Sequence, residues 1–127
     1  MITTALQQAI FDKLNSDLSV PVYDDTPDNK DGAYVVIGND TINEFSADDR
    51  IGYDCTITLH AWTIDYKGNK LCKQLIDDVI ASLDRHDLAV TGHHCTGLDF
   101  EFANIERESD NTVRHGVIRF RTNIFVV

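Results

Sequence analysis

The chain has 127 residues, of which 43% are apolar, and its 21 acidic and 11 basic residues give a formal net charge of −10. This length and composition predict one globular domain over residues 1–127, and the acidic balance argues against a protein that binds nucleic acid by neutralising phosphates. No apolar run approaches the ~20 residues of a membrane span, and no signal-peptide pattern opens the chain, so we expect no membrane partner and a place in the cytosol.

The N-terminal residues predict a helix followed by a short strand. Thr4 and Gln7 stand in capping-box register, and an apolar stripe with helical spacing continues through about Asp17. Pro21 closes this helix. We expect residues 20–23 to form an edge strand, because proline cannot donate a hydrogen bond to a central ladder.

A polar, turn-rich loop over residues 24–32 leads to the middle of the chain. Residues 33–38 are almost continuously apolar, which predicts a central strand. A further strand is expected over residues 41–45, and residues 46–52 are interpreted as an exposed connection.

The centre of the chain combines a strand and a helix. Residues 56–64 alternate with a period of two in a run rich in β-branched and aromatic residues, which predicts a strand. After Gly68 the apolar residues recur at helical spacing, which predicts a helix that ends near Arg85. Trp62, the only tryptophan, shares a strand face with His60. We expect Trp62 in the core between sheet and helix, and a partner contact is the alternative.

The remaining residues predict more strands. Residues 88–92 form a short extended piece, residues 106–112 a charged connection, and residues 113–127 an alternating strand. Residues 93–105 predict a strand with one wet face, because three apolar residues alternate there with acidic ones: Leu98, Phe100 and Phe102. The order helix, strands, helix, strands predicts an α+β fold, with two helices packed on one face of a mainly antiparallel sheet.

The chain offers few groups for chemistry. His93, His94 and Cys95 are the densest group of metal-binding residue types, but adjacent strand residues point to opposite faces and nothing nearby completes a site. No nucleophile elbow or glycine-rich phosphate loop is present. Cys55 and Cys72 lack CxxC spacing and, like Cys95, are predicted to be buried thiols. We therefore expect no catalytic residue, no metal and no cofactor, and predict that the protein is not an enzyme.

Three arginines, together with Arg107, give the last two predicted strands a basic character: Arg114, Arg119 and Arg121. Two interpretations stay open. In the first, they lie on a solvated sheet face and pair across strands with Asp99 and Glu101. In the second, they form a subunit contact with an acidic loop of a neighbouring copy, which would offset the repulsion between acidic subunits. The candidate acidic residues are Asp25, Asp28, Asp31, Asp48 and Asp49.

Several short strings resemble a known family in their order and spacing. They are the stripe Leu6, Ile10 and Leu14, the string Tyr34-Val-Val-Ile-Gly38, the tryptophan strand over 58–63 and the closing Gly116-Val-Ile-Arg-Phe-Arg121. Over nearly its whole length the chain resembles the tail terminator proteins (tail completion, tail-to-head joining) of long-tailed bacteriophages.

The resemblance implies a small structural subunit that forms a hexameric ring in the neck of the virion tail and is assembled in the cytoplasm of the host bacterium. Such a ring caps the tail tube, stops polymerisation of the major tail tube protein and docks to the head-completion or connector protein. Genomic DNA passes through its bore without specific binding. The alternatives are another neck, head-completion or tail-assembly subunit, or a small-molecule-binding α+β domain.

Overall fold

The computed structural model describes residues 2–25, 32–47, 49–64, 68–95, 97–107 and 112–127. The elements in this part of the chain are α1 Ile2–Asp17, β1 Val22–Tyr23, β2 Tyr34–Ala47, β3 Arg50–Ile64, α2 Lys70–Leu83, β4 His93–His94, β5 Asp99–Arg107 and β6 Val113–Val126. The predicted α+β fold is confirmed.

One sheet contains all the described strands, in the order β1-β2-β3-β6-β4, and β5 also pairs with β6. The pairing of β1 with β2 is parallel, and the pairings of β2 with β3 and of β3, β4 and β5 with β6 are antiparallel. The short strand after Pro21 lies at the edge of the sheet, as predicted. The long strand β3 lies in the centre, with β2 on one side and β6 on the other.

Both helices pack on one face of the sheet, and the core lies between. That face carries fully buried residues of β3 and β6: Ile57, Leu59, Ala61, Ile118 and Phe120. The buried helix residues follow the predicted 3.6-residue spacing, as in Leu6, Ile10 and Leu14 of α1 and Leu75, Ile76 and Val79 of α2. Burial of each large apolar side chain contributes about 1.5–3 kcal/mol, so this layer is the main source of stability.

The predicted thiol burial is confirmed. Cys55, Cys72 and Cys95 are free and buried. Burial raises the pKa of the Cys55 thiol to about 11 and also raises the pKa of the Cys72 thiol.

Two predictions for the first half of the chain are wrong in detail. The helix α1 is already formed at Ile2, so Thr4 lies inside it and cannot be its N-cap. The two strands expected over 33–38 and 41–45 are one strand, because an irregularity between Ile37 and Asp40 shifts the register and lets β2 continue. The strand continues to Ala47, so most of the expected connection over 46–52 is paired.

The strand expected over residues 93–105 is broken. Its first part is the two-residue strand β4, and β5 begins only at Asp99. Gly97, between them, has a φ of +125°, and a Cβ atom there would lie 2.6 Å from the carbonyl oxygen of His86. Only glycine fits this conformation without strain, and it lies in the gap between β4 and β5, which both pair with β6.

The alternation expected for the phenylalanines of β5 is also wrong. The register shifts between Phe100 and Phe102, so these two residues face different neighbours. The Phe100 ring contacts the core residue Phe120, whereas the Phe102 ring lies under the guanidinium group of Arg119 on the other face of the sheet.

Trp62 is not in the core, contrary to the expectation. It alternates with the buried residues Ala61 and Thr63 and therefore lies on the sheet face opposite to the helices, where it is half-buried. Its indole ring lies between the rings of Tyr34 and His115.

Candidate assembly surface

The sheet face opposite to α1 and α2 is the candidate site, and we call it the open face. Two ion pairs cross it. The Nε and Nη2 atoms of Arg119 lie 3.0 and 2.9 Å from Oε1 of Glu101 in β5. Arg121 donates from Nε and Nη2 to the two carboxylate oxygens of Asp54 in β3, at 3.2 and 3.1 Å.

These ion pairs agree in part with the first interpretation of the arginines, in which they pair across strands on a solvated face. Arg119 does pair with Glu101 across strands, as the first interpretation predicts. Arg121 stands opposite Asp99 in the strand register but forms its ion pair with Asp54 on the other side. The arginine side chains remain 46% and 57% exposed, and exposed pairs of this kind contribute little to the stability of the fold. The pairs therefore orient the arginines without holding them tightly.

Arg114 is placed differently from the other two arginines. It is only 4% exposed and alternates onto the helix side of the sheet, opposite Thr63. Its Nε atom donates a hydrogen bond of 2.9 Å to Oδ1 of Asn69, the residue before α2. The structure thus brings Arg119 and Arg121 together on the open face and separates Arg114 from them.

The candidate acidic residues lie only partly within the described chain. Asp25 is exposed just after β1, and Asp49 is exposed in the turn between β2 and β3. Asp28, Asp31 and Asp48 lie outside the described residues.

A cluster of aromatic and histidine rings occupies the open face where Tyr34 pairs with Trp62. The His115 ring stacks on the Trp62 ring with centroids 3.9 Å apart and planes 4° apart. On its other side, Nε2 of His115 lies 2.6 Å from Nδ1 of His60, which is a hydrogen bond. Nδ1 of His115 lies 3.7 Å from Oε2 of Glu106. Burial lowers the pKa of His60, and the neighbouring His115 lowers it further.

Sequence reasoning did not find this cluster. The alternation in β3 placed His60 and Trp62 on one face, but His115 reaches them only because β6 pairs with β3 in one particular register, Trp62 opposite His115. The two histidines are 55 positions apart, and no local pattern links them.

The metal candidate from the sequence, which is His93, His94 and Cys95, does not form a cluster of side chains. Cys95 is buried and its Sγ lies 3.6 Å from the hydroxyl of Thr122, whereas His94 is exposed. His93 donates from Nδ1 to the carbonyl oxygen of Thr91 at 2.8 Å. Within the described residues, no three His, Cys, Asp or Glu side chains are grouped to hold a metal ion. In the same part of the chain, no helix has the length and apolarity to cross a membrane.

The architecture is one that occurs in virions. A solved chain from the virion of a native gene transfer agent (GTA) particle matches with a TM-score of 0.85 and 24% identity, covering 98% of this chain and 97% of that one. A second solved chain matches with a TM-score of 0.51 and 16% identity, over 99% and 93% of the two chains. At these identities the likeness shows the fold alone. A search of curated proteins finds no match.

The family is shown by the sequence itself. The model of the family described as tail completion protein gp17 matches residues 4–124. The chain therefore belongs to the tail completion protein gp17 family and is a structural component of a phage-type virion tail. The resemblance stated from the sequence is confirmed.

Proposed function

We propose that the protein is a tail terminator. Copies of the chain, acting as single domains over 1–127, form a hexameric ring that caps the tail tube, stops its polymerisation and joins the tail to the head. The observation that carries the proposal is the tail completion family match over residues 4–124. The partners are other copies, the major tail tube protein and the head-completion or connector protein. The ring belongs to the neck of the virion and assembles in the host cytoplasm.

The charge of the chain supports this proposal. At a net charge of −10 a ring of copies repels phosphate groups, so genomic DNA passes through the bore without being bound. This role needs geometry shared among copies and makes or breaks no bond. We therefore propose no catalytic residue, metal or cofactor.

The proposed subunit contact uses the open face. Arg119 and Arg121 are about half exposed, and each guanidinium group has more donors than its intrachain carboxylate uses. An acidic segment of a neighbouring copy, containing Asp25, Asp28 and Asp31 or Asp48 and Asp49, supplies further acceptors. Such contacts between opposite charges would offset the general repulsion between acidic subunits.

The mass of the purified protein tests the ring. We expect a species of several copies, either in solution or after addition of tail tubes, since a ring can close only on the tube. A chain that stays monomeric at every concentration, with and without tubes, would contradict the proposal.

Charge variants test the contact surface. Arg119→Glu with Arg121→Glu should weaken self-assembly. The matched control, Glu101→Gln with Asp54→Asn, removes the same intrachain pairs but keeps both arginines, so it should assemble at least as well as the unmodified protein. Equal loss in both double variants would show that the intrachain pairs matter and not a contact with another copy.

Rescue in trans sharpens this test. A copy with Asp25→Lys and Asp49→Lys should assemble with the Arg119→Glu, Arg121→Glu copy better than either assembles alone, because the opposite charges are restored across the interface. Failure of every such mixture would remove the acidic segments as the partner surface.

Deletion of the gene separates a terminator from another neck or tail-assembly subunit. Without a terminator, tails should grow to uncontrolled lengths and fail to join heads. Tails of normal length that only lack heads would favour a head-completion role instead.

A further inference from the structure

The hydrogen bond between His60 and His115 limits how many protons the two rings can hold. A bond between two imidazoles needs one nitrogen that donates and one that accepts. A neutral pair and a singly protonated pair both meet this need. A doubly protonated pair places two N–H donors 2.6 Å apart between two cations and cannot keep the bond.

Two groups beside His115 interact favourably with a positive charge. Nδ1 of His115 lies 3.7 Å from Oε2 of Glu106 in β5, and the His115 ring lies flat on the Trp62 indole, which attracts a cation. Tyr34 of β2 also faces the cluster, and burial raises its pKa, so it stays neutral at acidic pH. Burial and the neighbouring His115 lower the pKa of His60, so a second proton on the pair is opposed.

His60 is also in direct contact with the backbone of β2. A Cβ atom on Gly38 would lie 2.7 Å from Nε2 of His60, so the imidazole lies against the bare glycine of that strand. Any displacement of the His60 ring therefore acts on β2, on the ring of His115 in β6 and, through it, on Trp62 in β3.

We propose that His60 and His115 form a pH-sensitive switch on the open face. The pair holds the stacked rings of Tyr34, Trp62 and His115 together while it carries at most one added proton, and it opens this end of the face when a second proton binds. The inference concerns the conformation of a single copy and does not rest on the proposed ring.

Trp62 is the only tryptophan, so its fluorescence reports directly on the cluster. On acidification, we expect a first change as the pair takes up one proton beside the stacked indole and quenches it, and a second, red-shifting change as the pair opens, about one pH unit or more below the first. His60→Gln should keep the quenching and lose the red shift. His115→Gln should lose both. The control His86→Gln, at an exposed position, should behave like the unmodified protein.

Circular dichroism recorded in parallel must show that the sheet stays folded through the second change. NMR of the imidazole nitrogens in the unmodified protein gives an independent readout that needs no variant. Two histidines that titrate independently near the ordinary pKa of about 6.5 would overturn the proposal. An emission maximum that does not move down to the onset of unfolding, or that moves equally in His60→Gln, would overturn it too.

Discussion

Replacement of Asp40 by asparagine should stabilise the protein at neutral pH. Asp40 lies where the register of β2 and β3 shifts, and its Oδ1 atom is buried without a hydrogen-bond partner in the described structure. Burial raises the pKa of its carboxyl group from 3.8 to about 6. The charged form is therefore less favourable in the folded protein than in the unfolded chain.

The sign of the pH dependence follows from this raised pKa. Below the unfolded value of 3.8 the carboxyl group is protonated in both states and costs nothing. As pH rises through the folded value of about 6, stability is lost, and the full cost is present above it. One pKa unit corresponds to ~1.4 kcal/mol, but the side chain is only partly buried and solvent screens it, so we expect a gain of about 1 kcal/mol from Asp40→Asn.

Thermal unfolding followed by circular dichroism measures this gain. A stabilisation of about 1 kcal/mol raises the Tm of a domain of this size by roughly 4 °C. The gain should be largest above about pH 7 and fall to less than half near about pH 4.5. Asp12→Asn, at an exposed position of α1, is the matched control for the removal of one negative charge. Equal gains in both variants, or a gain independent of pH, would refute the reasoning.

Two further substitutions test the core and the break in the sheet. Leu59→Ala removes a fully buried side chain under the helices and should lower the free energy of unfolding, measured by urea titration, by about 2–5 kcal/mol. The control Leu71→Ala, at a 49% exposed position of α2, should change the free energy of unfolding by less than about 0.5 kcal/mol. Gly97→Ala should lower the Tm more than Gly68→Ala, because both glycines have a positive φ but only at Gly97 would a Cβ atom meet backbone. Similar losses within either pair of variants would contradict the packing described.

The alternation predicted for the last strand is confirmed, because the residues of β6 alternate between buried and less buried positions. Ile118, Phe120 and Ile124 are fully buried because they share the face that the helices cover. The alternation in β3 does not indicate which of its two faces the helices cover, because both faces carry apolar residues. Trp62, the largest of them, was expected inside, but the small residues Ala61 and Gly116 face α2, and there they let the helix approach closely.

The irregular parts of the backbone could not be predicted from the sequence either. Bulges lie between Ile37 and Asp40 and between Phe100 and Phe102. They do not alter the apolar pattern of the sequence, but they change which face of the sheet the residues after each bulge occupy. The break at Gly97 depends on contact with His86, a residue in another segment. The His60–His115 pair likewise depends on strand register. Each of these features depends on contacts between separate segments of the chain, which local apolar periodicity does not encode.

The arginines on the two sides of the sheet differ in how much they contribute to the fold. Arg114, on the helix side, is buried and hydrogen-bonded to the half-buried Asn69 at the start of α2, so its removal would take a donor from the helix start and destabilise the fold. Arg119 and Arg121, on the open face, belong to exposed pairs that contribute little to the stability of the fold. Charge reversal on the open face should therefore leave the fold intact, so it can test the proposed contact between copies. The same change at Arg114 would act on the fold itself and could not report on assembly.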